Sequence, residues 1–90
     1  CFIGNTLVEM ASQDEDIREE AIVILKELEQ VFYKAILTGQ KSGQLKTKTD
    51  ARLLARQLIT IWNGLNVTRR MYPSQTILKS LIETQLQILI

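Results

Sequence analysis

The side chains that carry most covalent and metal chemistry are nearly absent from this sequence, which holds no histidine and a single cysteine, Cys1. That removes the usual zinc ligand sets, a cysteine or serine nucleophile with a histidine base, and any internal disulfide. What remains are polar groups set on otherwise apolar helical faces, and their chemistry is recognition. Trp62 and Asn66 lie one turn apart, Cys1, Asn5 and Glu9 follow an i, i+4, i+8 spacing, and Gln85 sits inside an apolar arc. A buried amide needs a hydrogen-bond partner, so Asn66 beside Trp62 fits a ligand pocket; ordinary core packing of the indole is the other reading. Phe32 and Tyr33 are likewise pocket lining or helix-packing residues. Cys1, Asn5 and Glu9 fit either a pocket wall or an exposed face at a frayed chain start. No lysine or arginine lies near Cys1 in sequence, which speaks against a low-pKa redox thiol.

Ninety residues, 46% hydrophobic and 23% charged, suit one small domain near the lower size limit for a self-sufficient core. Eleven basic residues against ten acidic ones leave no excess charge for a phosphate-binding surface, so nucleic acid is not expected to bind this segment. No apolar run approaches the roughly 20 residues needed to span a bilayer. The chain is therefore expected to be soluble, with no membrane partner. It opens at Cys1 in mid-phrase, "CFIGNTLVEMA", without Met or a charged leader, and reads as a piece of a longer protein.

The elements that must position these residues are helices, since no strand alternation is present. Residues 1–11 are apolar nearly all round and suggest an interior helix. Ser12 and Glu15 form a capping box for a second helix that runs to Lys41 or Ser42, with Gly43 as the residue after its end. At about 100° per residue, Ile17, Ala21, Ile24, Leu28, Val31, Ala35 and Gly39 make its stripe, flanked by Leu25, Phe32 and Ile36. Beyond the polar segment "GQLKTKT", anchored by Leu45, Thr49 or Asp50 caps a third helix. It is expected to reach Arg70 or Met71, because Pro73 biases Tyr72 out of the helical region. Ser74 caps a last helix whose arc is Ile77, Leu78, Leu81, Ile82, Leu86, Ile88 and Leu89.

The third helix is apolar over too wide an arc for the surface of a small monomer. Leu54, Ala55, Leu58, Ile59, Ile61, Trp62 and Leu65 spread over roughly 200°, while Arg52, Arg56, Asn63 and Arg70 keep to a narrow sector. Burial on two sides follows, and a second copy of the chain is the least demanding cover. Gly64 points almost opposite Trp62, on the edge it shares with Gln57, Thr60, Ile61 and Thr68. A glycine inside a helix costs about 1 kcal/mol against alanine, and close approach of a partner helix would offset that cost. Gln85 in the last arc would set register through an intersubunit hydrogen bond, or else lie at a wet rim. Arg69 and Arg70 complement the dipole at the helix end.

The succession "CFIGNTLVEMA", "DEDIREE", "ILTGQKSGQLKTKTD" and "ARLLARQLITIWNGL", closed by an amphipathic helix, resembles the C-terminal domain of TetR-type (tetracycline-repressor-like) transcriptional regulators. The resemblance covers the whole chain and is most characteristic from Gly39 to Leu65. It implies an all-α, four-helix fragment whose last two helices form a dimeric four-helix bundle, and a cytoplasmic regulator that is not an enzyme and carries no cofactor. It further implies a small apolar or aromatic effector, and DNA binding only through an N-terminal helix-turn-helix domain absent from this chain. Under it, Cys1, Asn5, Phe32, Tyr33, Trp62 and Asn66 are the candidate effector residues. Leu53, Gln57, Thr60, Ile61, Gly64 and Thr68, with Ile77, Leu78, Leu81, Gln85 and Ile88, are the candidate dimer contacts. A free-standing helical module that accepts a partner helix is the alternative.

Overall fold

The computed structural model describes residues 15–90, and every regular element in them is helical: α1 (Glu15–Ser42), α2 (Ala51–Thr68), α3 (Gln75–Gln85) and a 3₁₀ turn, Leu86–Leu89. The helix expected over 1–11 and the capping residue Ser12 lie outside the described residues.

Glu15 and Asp16 occupy the first turn of α1 and Lys41 its last, each opposing the local end of the helix dipole. The helix stops at Gly43, whose φ of +82° is left-handed backbone that a residue without Cβ adopts at little cost. The chain then folds back, the Leu45 N–H donating to the Gly39 carbonyl at 3.0 Å. The Gln40 side-chain amide donates to the Thr47 and Thr49 carbonyls at 3.1 and 2.8 Å, fastening the polar loop to the helix end. Asp50 caps α2 by accepting from the Leu53 N–H at 3.0 Å.

Two helix ends fall short of the expected boundaries. α2 stops at Thr68 instead of Arg70 or Met71, because its last bonds tighten to i→i+3: Arg70 donates to Val67 at 3.1 Å and Met71 to Thr68 at 2.8 Å. Ser74 caps α3 as expected, but the α-helix gives way after Gln85 to the 3₁₀ turn. That turn brings Leu89 against the core.

The core is small. Ile36 of α1 and Ala51, Leu54 and Ala55 of α2 are buried together, with Phe32, Tyr33, Leu37, Leu45, Leu58 and Leu89 packed around them. Alanines at 51 and 55 let α2 approach α1 closely, and Ala55 has no exposed surface. The inward face of α1 is turned from the expected stripe: Ala21, Leu25, Ile36 and Gly39 are buried, whereas Ile24, Val31 and Ala35 are exposed. Angular spacing orders the positions around a helix, but the neighbour that presses on it decides where the buried arc is centred, and α2 presses on the Phe32–Ile36 side.

The chain is also thin. Its Cα trace extends 45 × 31 × 14 Å, and the shortest dimension suits two helices packed about 8–10 Å apart with no further layer. Its radius of gyration is 14.8 Å, against about 12 Å for a compact chain of this length. No residue of α3 is buried.

Candidate functional site

Where the three helices converge, an apolar cleft of about 270 Å³ opens between Phe32 of α1, Leu58, Ile61, Trp62 and Leu65 of α2, and Ile82 and Leu86. A second hollow of about 200 Å³ adjoins it and shares Trp62, Leu65 and Ile82; Asn66, Arg69 and Leu78 complete its wall. The two make one trough along α2.

Sequence spacing had offered Trp62 two roles, and the structure gives it a lining position. The indole is 43% exposed and meets Phe32 edge-to-face, with ring centroids 6.4 Å apart and planes at 61°. Asn66 stands beside it, but its amide nitrogen donates to the Trp62 carbonyl at 2.8 Å, one turn back in the same helix. Its need for a partner is therefore partly met without a ligand. Phe32, Trp62 and Asn66 are thus brought together; Cys1 and Asn5 lie outside the described residues.

Tyr33 is held elsewhere. The Arg52 guanidinium lies 3.9 Å from its ring centroid, donates to the Gln30 side-chain oxygen at 3.0 Å and pairs with Glu29 at 3.4 Å. Arg56 reaches the same carboxylate at 4.0 Å. This polar clamp ties α1 to α2. Spacing on α2 places Arg52 only in a polar arc; the available signal was Glu29, Gln30 and Tyr33 on a single face of the preceding helix, a surface matched to a planar cation. Lysine at this position would lose the stacked plane and the fork of donors, so Arg52→Lys is expected to destabilise the chain by about 1 kcal/mol, read as a lower urea midpoint at unchanged slope.

The opposite face of α2 is bare. Leu53, Gln57, Thr60 and Gly64 are exposed along it, and the Thr60 hydroxyl donates to the Arg56 carbonyl at 2.8 Å. Among the described residues, a Cβ built on Gly64 would meet nothing within 4 Å. Ile61 and Thr68 are half-buried, Ile61 because it turns into the cleft. On the last segment Ile77 and Ile88 are exposed, Leu78 lines the trough and Leu81 is half-buried. The Gln85 side-chain oxygen is shielded from water yet has no hydrogen-bond partner. Among the described residues no cluster of His, Cys, Asp or Glu could hold a metal ion, and no helix is long and apolar enough to cross a membrane.

Comparison with known proteins places this architecture. Residues 1–84 match the family described as "Tetracyclin repressor-like, C-terminal domain". The chain belongs to that family. A relative of this TetR-like C-terminal domain is the HTH-type transcriptional repressor DhaR of Mycobacterium sp. (strain GP1), 34% identical over 64 residues that cover 71% of this chain and 32% of that repressor. The TetR-like domain thus spans about a third of the relative's length. No solved structure matches it. A regulatory domain is consistent with a site made of hydrocarbon walls and exposed helix faces.

Proposed function

We propose that this TetR-like domain dimerises through the outer faces of α2 and α3 and binds a small apolar effector in the trough at Trp62, so that occupancy alters DNA binding by another domain of the parent regulator. It does this without catalysing a reaction. The observation that carries the reading is α2 with apolar surface on both sides in a chain only 14 Å thick. Trp62 and Leu58 face one way, while Leu53, Gly64 and the half-exposed Val67 face the other.

The α3 helix supplies the other half of the proposed bundle, since its apolar side chains are not enclosed within the protomer. Two such helix pairs related by a two-fold axis give a four-helix bundle; the Gln85 oxygen, covered within its own protomer, is out of reach of that seam. Because α2 carries the interface on one face and the effector on the other, a ligand that shifts α2 changes the geometry between protomers. Such coupling needs only that the two dimer geometries bind the ligand unequally.

Sedimentation velocity over a hundredfold range of concentration should show a dimer. A monomer at every concentration would refute the interface and favour a domain that accepts a foreign helix instead.

A further inference from the structure

The trough is chemically asymmetric, and its asymmetry names a ligand class. At the Phe32–Leu86 end the described residues that form the walls are aliphatic and aromatic. At the other end stand Asn66 and Arg69, and the Asn66 amide nitrogen is already engaged by the Trp62 carbonyl. The ion pairs among the described residues involve Arg18, Arg52, Arg56 and Lys79. Among the described residues Arg69 has no acidic partner, and no carboxylate lines either part of the trough. The side-chain donors left free along it are therefore the Arg69 guanidinium, the Trp62 indole N–H and the second N–H of the Asn66 amide, of which Arg69 alone carries charge. An apolar body fits the Phe32–Leu86 end, and an acceptor-rich anion fits the Arg69 end.

Resting on the effector reading above, we infer that the trough takes an amphipathic carboxylic acid, with its acyl or aryl body against Phe32, Trp62 and Leu86 and its carboxylate at Arg69. Guanidinium suits this because its fork of donors matches a carboxylate in plane and charge. Arg69 is exposed, so water weakens the pair toward an ordinary surface ion pair. The position at the end of α2 sets a limit, since carbonyls there partly offset the cation's field. The head group therefore adds selectivity to an affinity supplied mainly by the apolar body.

Trp62 is the sole tryptophan and reports directly on the trough. In the full chain at low ionic strength, octanoate should shift its emission to the blue and bind about fivefold more tightly than uncharged octanamide. In Arg69→Gln the two should bind alike, at the octanamide level, with an unchanged thermal melt because Arg69 is exposed. Arg70→Gln, which alters a neighbouring arginine outside the trough, should keep the preference. Equal binding of acid and amide to the unaltered chain overturns the head-group assignment and leaves the effector cleft standing. Loss of the preference in Arg70→Gln overturns it too, as a general charge effect. If neither compound moves Trp62 emission, both the acid and the effector reading fail; an emission that changes only with protein concentration assigns the trough to a second copy.

Discussion

Gly64→Leu is expected to weaken self-association about 100-fold, the equivalent of the ~2–3 kcal/mol that an overpacked helix contact costs. The folded protomer should be unharmed. A Cβ at this position meets none of the described residues within 4 Å, and leucine is a better helix former than glycine by about 1 kcal/mol. Any loss must then arise between protomers. Gly64→Ala separates propensity from crowding: it gives the helix the same kind of benefit with far less bulk. Dissociation constants from sedimentation equilibrium for the three proteins, beside urea melts at concentrations where the chain is monomeric, provide both readouts. Undiminished association of the leucine variant would remove Gly64 from the interface.

Gly39→Val is expected to do the reverse, lowering the stability of the protomer by about 2–3 kcal/mol. Gly39 is buried in α1, and a Cβ on it would fall 2.7 Å from Leu45 Cδ1 and 2.8 Å from Cγ. Leu45 cannot simply retreat. Its own N–H is bonded to the Gly39 carbonyl at 3.0 Å, and its side chain packs on the core. For a domain of this size the melting temperature should fall by about 10–20 °C. Alanine at 39 should do less harm, since its helix propensity offsets part of the clash. Combining Gly39→Val with Leu45→Ala should recover part of the loss, and the coupling energy from that double-mutant cycle measures the contact. Additive losses would show that Leu45 is not what requires the glycine.

These two glycines show where sequence reading succeeds and where it stops. Both are weak helix formers within helices, and propensity marks each as a position where something else must compensate. At Gly39 the compensating group is six residues away, across the loop in the same chain; at Gly64 the described residues of the protomer hold none. Residue type is the same in both cases. The difference lies in what tertiary packing brings alongside, and no local pattern encodes that.

The same division runs through the site. Gly43, Asp50 and Ser74 act over three or four residues through backbone hydrogen bonds, so their roles were legible from spacing. The opposition of Trp62 to Gly64 was legible too, because 100° per residue fixes relative direction on one helix. Tyr33 and Asn66 were not. Tyr33 is claimed by Arg52 from another helix, and Asn66 by a carbonyl of its own turn. An amide on an apolar face announces a need for a partner without saying which partner meets it.

Helix order, the caps, the all-α class and the family therefore follow from the linear chain, since periodicity and short-range hydrogen bonding depend on neighbours in sequence. Packing alone settled which arc of α1 turns inward, that Arg52 clamps α1 to α2, and that Phe32 and Trp62 share a cleft ending at Arg69. Each of these depends on contact between different helices, and side-chain type limits such contacts without choosing among them.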